Sequence, residues 1–124
     1  MPSERTGRVE LLQGTLDVLV LRALSWGPKH GYAVARFIRD GSDEAFRILD
    51  GALYTSLHRM EERRWVESEW GTSDKGKRAK FYRITAAGRR ALQAETESWN
   101  RYVAAVAGVM ATPRSDNTPA TSTV

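Results

Sequence analysis

Two rhythms of polar and apolar positions divide the chain. From Val9 to Trp26, VELLQGTLDVLVLRALSW, Leu12, Leu16, Leu19, Ala23 and Trp26 keep helical spacing, and Val18, Val20, Leu21 and Leu24 fill most of the remaining circumference. A helix apolar nearly all round is covered on more than one side, so this segment is expected to be the central core helix. Gln13-Gly14 interrupts the pattern, Thr15 is the expected N-cap with Asp17 in the first turn, and Gly27-Pro28 is the stop. His30-Gly31 opens a second helix, YAVARFIRD. Tyr32, Ala35 and Ile38 share one of its faces, and Gly41 is the expected left-handed terminator. Phe46 and Ile48 then alternate with Ala45 and Arg47, enough for one short strand.

Asp50 is the N-cap expected for a third helix. At about 100° per residue Leu53, Leu57 and Met60 fall on one face, with Gly51, Thr55, His58, Arg59 and Glu62 roughly opposite. The period then changes to two: Val66 and Trp70 alternate with Glu67 and Glu69, and Tyr82 and Ile84 flank Arg83. Between these strands Gly71–Arg78, GTSDKGKR, is too long for a two-residue hairpin and is expected to project as a flexible basic wing. Helix, strand, basic turn, strand is the order of a winged helix-turn-helix. The fold class expected is mainly α with a small β-hairpin.

Thr85 is a good N-cap for a last helix, AAGRRALQAETESWNRYVAAVAGVM. Leu92, Thr96, Trp99, Val103, Val106 and Met110 are spaced 4, 3, 4, 3 and 4 residues apart along it. That is a heptad-like seam on a helix of about 25 residues, roughly 37 Å long, more than a small core can cover. It is expected to bury itself against a second copy, with Leu92, Trp99, Val103, Val106 and Met110 as dimerisation residues. The domain plan that follows is a flexible 1–8, a winged-helix DNA-binding domain over 9–85, a dimerisation helix over 86–111, and a disordered tail over 112–124. Trp26, Trp65 and Trp70 are expected in the core. Trp99 lies mid-seam, where two indoles brought together could also sandwich a flat aromatic ligand.

Charge sharpens the functional reading. Between Thr72 and Arg90 stand Lys75, Lys77, Arg78, Lys80, Arg83, Arg89 and Arg90 against Asp74 alone, a balance of +6 in a 124-residue chain whose total is +4. A basic patch confined to the hairpin and the helix start after it is a footprint for phosphates. The absence of cysteine excludes a disulfide framework, a thiolate nucleophile and any Cys-based metal centre. His58 and Glu61 have a superficial metal-site spacing, but the other histidine, His30, sits in a different element. No Ser–His–Asp set or phosphate-cradling glycine loop stands out, so neither metal, cofactor nor catalysis is expected. No apolar run approaches about 20 residues, and the expected address is the cytoplasm. The rival to a DNA-binding regulator is a winged helix that binds protein instead.

HGYAVARFI, GALYTSLHRMEERRWVESEW, GKRAKFYRITAAGRRAL and ESWNRY together resemble the PadR family of bacterial transcriptional regulators, over about residues 9 to 107. The resemblance implies a winged-helix domain, a C-terminal dimerisation helix, a homodimer on palindromic double-stranded DNA, and usually repression. In some members small phenolic or aromatic compounds act as inducers. Position by position it assigns Tyr54, His58 and Arg59 to the helix facing DNA, with Thr55 where the family usually has Pro. Lys75, Lys77 and Arg78 fall at the wing tip, Lys80 and Tyr82 on the strand after it, and Tyr32 at the helix-two tyrosine. Trp99 matches the tryptophan that stacks on bound drugs in the compact subgroup with one C-terminal helix.

Overall fold

α1 (Thr15–Leu24) runs through the middle of the core, and the remaining elements are arranged around it. The order is β1 (Lys29–His30), α2 (Gly31–Gly41), α3 (Asp50–Glu62), β2 (Val66–Thr72), β3 (Arg78–Ile84) and α4 (Ala86–Ala111). This computed structural model describes residues 14–115. The expected flexible start, Leu12, and most of the expected disordered tail lie outside the described residues.

The apolar stripes meet as their periods require. Val20, Leu21, Ala23 and Leu24 of α1 pack with Val34 and Ile38 of α2, Leu53, Leu57 and Met60 of α3, and Val66, Tyr82 and Ile84 of the hairpin. The sheet has three antiparallel strands in the order β1-β3-β2. The strand expected around Phe46 and Ile48 is absent; both side chains pack half-buried against the core without a sheet neighbour. The third strand is instead Lys29–His30, which pairs with Tyr82 and Phe81 on the open edge of β3. Two residues carry no readable period, so only the available edge could make them a strand.

Helix ends differ from expectation by one or two residues. Gly14, left-handed at φ 88°, is the N-cap of α1 in place of Thr15, and Leu49 that of α3 in place of Asp50, which enters the first turn. Gly41 is the last residue of α2 rather than its left-handed stop. That conformation falls on Asp43 and Glu44, where Glu44 N–H donates to the Arg39 carbonyl at 2.7 Å and Asp43 N–H to Asp40 at 3.1 Å. This is a Schellman closure. A second one ends α3: Trp65 N–H donates to the Met60 carbonyl and Arg64 N–H to Glu61, with Arg64 at φ 63°.

Thr85 caps α4 as expected, its Oγ1 accepting from Gly88 N–H at 3.0 Å. The same hydroxyl donates to the Arg64 carbonyl at 2.7 Å, and Thr85 N–H reaches the Trp65 carbonyl. The end of α3, the end of β3 and the start of α4 are thus tied at one point. Gly88 is required there by space: a Cβ would overlap the Trp65 carbonyl oxygen and come within 2.8 Å of Ile84 Cγ1. Of the tryptophans expected inside, only Trp65 packs on the core. Trp26 and Trp70 are 70% and 58% exposed, beneath the guanidinium groups of Arg22 and Arg78. Both lie at element ends, beyond the last side chain that could cover them.

Gly88→Ala should therefore destabilise the protein by about 1–3 kcal/mol, although alanine is the better helix former. Gly108→Ala, on the open part of α4 with nothing near its Cβ position, should be neutral or slightly stabilising. Urea unfolding of both variants at one protein concentration checks the pair; equal effects would remove the steric argument.

Candidate nucleic-acid interface

α3 presents an outward stripe because its inward one is held in two ways. Leu53, Leu57 and Met60 are buried, and between them lies Ser56, a fully buried hydroxyl. Ser56 Oγ donates to Asp17 Oδ1 of α1 at 2.5 Å. Arg59 grips the same carboxylate, with Nη2 to Oδ1 at 2.5 Å and Nε to Oδ2 at 3.2 Å. This hydrogen-bonded pairing raises the Arg59 pKa further above its ordinary value, first through the bond to Asp17 and then through its charge. One carboxylate therefore satisfies the polar group inside the stripe and fixes the roll of α3 against α1.

The roll decides what faces solvent. Gly51, Thr55, His58 and Glu62 are exposed and, at 4, 3 and 4 residue spacing, form one line opposite the core. Arg59, grouped with that line by the sequence wheel, is turned to the α1 flank and engaged by Asp17. Tyr54 is turned to the other flank. Its ring rests on the first turn of α2, where a Cβ on Gly31 would meet the phenol hydroxyl and lie 2.8 Å from Cζ. The stripe is thus narrower than the sequence suggested: Thr55 and His58 at its centre, Tyr54 and Arg59 as its margins.

The hairpin packs beside α3. Val66, Ser68 and Trp70 share a face of β2 with their cross-strand partners Ile84, Tyr82 and Lys80 of β3. α3 packs on this face, through the core at one end and through Ser68 Oγ donating to Glu61 at 2.6 Å further along. Tyr82 is only 3% exposed, so it supports this face from within rather than reaching a partner. Burial, followed by the nearby Glu61 carboxylate and Tyr54, raises its phenol pKa. Beyond Tyr82 the face becomes cationic: Lys80 lies over the Tyr82 ring at 5.7 Å and Arg78 over Trp70 at 4.5 Å.

The wing itself is shorter than expected, and its turn is hydrogen-bonded across. The strands pair as far as Thr72 and Arg78, which leaves Ser73–Lys77 as the turn. Ser73 N–H donates to the Lys77 carbonyl at 2.7 Å, Ser73 Oγ accepts from Lys77 N–H, and Gly76 adopts φ 77°. Lys75, Lys77 and Arg78 are exposed on it. Pairing of Gly71 with Ala79 absorbed residues that looked like loop, because glycine in a strand carries no pattern. Tyr32, on α2, is exposed, with Arg36 over its ring at 5.6 Å.

A second surface lies apart from this one. Beyond Leu92 the described part of α4 is exposed all round, and Trp99, Val103, Val106 and Met110 stand uncovered together with Tyr102 and Val109. Leu92 instead packs half-buried against the core. Trp99 and Tyr102 stack at 5.9 Å, and with Glu95, Ser98 and Val18 they line a cleft of about 380 Å³. Among the described residues no group of three or more His, Asp or Glu could hold a metal ion, and no helix is long and apolar enough to cross a membrane.

Residues 20–94 match the family described as transcriptional regulator PadR-like. Among solved structures the chain is similar to a PadR family transcriptional regulator from Eggerthella lenta, at 31% identity and TM-score 0.69, covering 82% of this chain and 86% of that one. A transcriptional regulator from Clostridium thermocellum is similar at 27% identity and TM-score 0.70, over 77% of this chain and 90% of that one. A PadR-like transcriptional regulator from Bacillus cereus shares the fold at TM-score 0.72 and 24% identity, over 82% and 97% of the two chains.

The clasp of Asp17 with Ser56 and Arg59 makes a separable prediction. Asp17→Ala should cost about 2–3 kcal/mol, chiefly through the orphaned Ser56 hydroxyl, since the half-exposed Arg59 is screened by water. His58→Ala should leave stability unchanged. Thermal and urea unfolding of the two variants distinguishes the margin of α3 from its outward line.

Proposed function

Because the chain belongs to the PadR-like family of transcriptional regulators, we propose that it binds a pseudo-palindromic operator as a homodimer and represses transcription from it. The observation that carries this reading is the packing of α3 on the hairpin face that ends in Trp70, Lys80 and Arg78. In this reading the outward line of α3 enters a major groove while the cationic end of β3 follows the flanking backbone.

The division of labour follows from side-chain chemistry. Thr55 and His58, at the centre of the line, are placed to read base edges, with Tyr54 beside them. Arg59 serves mainly to set the roll of α3, and what remains of its half-exposed guanidinium faces the groove margin. Lys75, Lys77, Arg78 and Lys80 supply phosphate contacts and with them salt-dependent affinity, and the exposed Tyr32 adds a contact at the edge. Thr55 restores an N–H donor and adds a hydroxyl where the family usually has Pro.

Two recognition helices spaced by one turn of DNA, about 34 Å, need a rigid partner-to-partner link. The uncovered seam of Trp99, Val103, Val106 and Met110 on α4, with Leu92 anchoring its root to the core, supports α4 as that link. The stacked Trp99–Tyr102 pair beside its cleft supports release by a planar aromatic compound, whose entry would alter the angle between the two winged domains.

On a site selected from a random duplex pool, His58→Ala should cost about 1–3 kcal/mol and relax one position of each half-site. Lys77→Ala should weaken selected and random duplexes alike and lower the salt slope by about one. Equal losses on both DNAs for both variants would discard this assignment, and a pool that yields no site would discard the operator. Val103→Asp should convert a dimer to a monomer in light scattering and lower operator affinity. Planar aromatics that leave Trp99 emission and operator binding unchanged would remove the inducer.

A further inference from the structure

Trp70 has no place in the core. It lies four residues beyond Val66 on the same face of β2, and its indole is mostly exposed. Its cross-strand partner is Lys80, and Arg78, next on that face, lays its guanidinium on the ring with Cζ 4.5 Å from the centroid. The opposite face of the hairpin is covered differently. There the Phe81 ring fills the space over Gly71, 3.1 Å from where a Cβ would stand, and His30 meets Phe81 edge-on at 5.4 Å. Apolar packing therefore finishes the face that bears Phe81, while the face toward α3 ends in an indole carrying a cation.

This pairing adds little to the fold, but it has a consequence for a polyanion. A guanidinium held over an aromatic ring can keep N–H groups available to a partner, and the ring limits its side-chain freedom. It is then pre-positioned for bidentate contact with a phosphate. The uncovered part of the indole is apolar, with Lys80 opposite it across the strands, and the turn that closes the hairpin carries Lys75 and Lys77. A surface of alternating phosphate and deoxyribose offers both complements, charge for Arg78 and an apolar sugar edge for the ring.

Resting on the DNA-binding reading above, we infer that Trp70 is a further DNA-contacting residue of the wing. Its indole holds the Arg78 guanidinium against a backbone phosphate and packs on the neighbouring sugar. The contact reads no base, so it strengthens every sequence and sets the depth at which α3 enters the groove.

The test is duplex binding by the full chain and by Trp70→Ala, Trp70→Phe, Arg78→Ala and the Trp70→Ala/Arg78→Ala double variant, on selected and random DNA at low salt. Trp70→Ala should weaken both DNAs by about tenfold and Trp70→Phe by less. Because the two side chains act as a unit, the double variant should bind no more than about threefold worse than Arg78→Ala alone. DNA should quench tryptophan emission in the wild type and quench it much less in Trp70→Phe. Wild-type affinity in Trp70→Ala, or losses at the two positions that simply multiply, would overturn the inference. If Trp70→Ala fails to fold, undiminished quenching and affinity in Trp70→Phe overturn it equally. A wild type that binds no duplex sinks the DNA reading as well; duplex binding indifferent to Trp70 sinks this inference alone.

Discussion

A single carboxylate on the central helix governs how this molecule meets its surroundings. Asp17 accepts from Ser56 inside the buried stripe of α3 and from Arg59 on its flank. A hydroxyl fully removed from water needs a partner, and the partner's position on α1 leaves α3 only one roll. Leu53, Leu57 and Met60 would be content with small rotations, since apolar contact has no direction. The hydrogen bonds convert an approximate packing into a defined angle. Thr55 and His58 face outward because Ser56 is committed inward and Arg59 to the α1 flank.

The same logic holds at the junction of α3, β3 and α4. Thr85 caps one helix with its hydroxyl oxygen while its proton goes to the carbonyl end of another, and Gly88 lets the two backbones touch. The direction in which α4 leaves the winged domain is therefore set by backbone contact rather than by flexible side chains. For a regulator of the PadR-like family this is consequential. In the proposed dimer, a long helix fixes the spacing of the two winged domains only if its root is stiff. The route from Trp99 to α3 is short as well: Glu95 and Val18 line both the cleft beside Trp99 and the adjoining one that reaches Asp17 and Arg59.

The hairpin shows how one sheet serves two purposes along its length. Near its base Val66, Tyr82 and Ile84 belong to the core, and Tyr82 is a supporting residue for that reason. Towards the tip the same face carries Trp70, Arg78 and Lys80, where nothing of the fold remains to be covered. Side-chain identity changes from apolar to cationic at the point where burial ends. The turn that closes it is held by Ser73 and Gly76, so its lysines stand on an ordered support.

By itself the sequence determined the four helices, the hairpin, the inward stripe of α3 and the capping of α4, because periodicity and cap chemistry are local. It also located the basic hairpin and carried the family resemblance, which rest on composition and motif. The tertiary structure alone decided the rest. Lys29–His30 became a strand because β3 had an edge to offer, while Phe46 and Ile48 alternated correctly and found none. Trp26 and Trp70 are as apolar as Trp65 but lie where the core has already ended. Arg59 reads on a wheel as part of the outward face, and only Asp17, 42 residues away in the chain, turns it aside. Local pattern states what a side chain prefers; which partner is within reach depends on how distant segments are brought together.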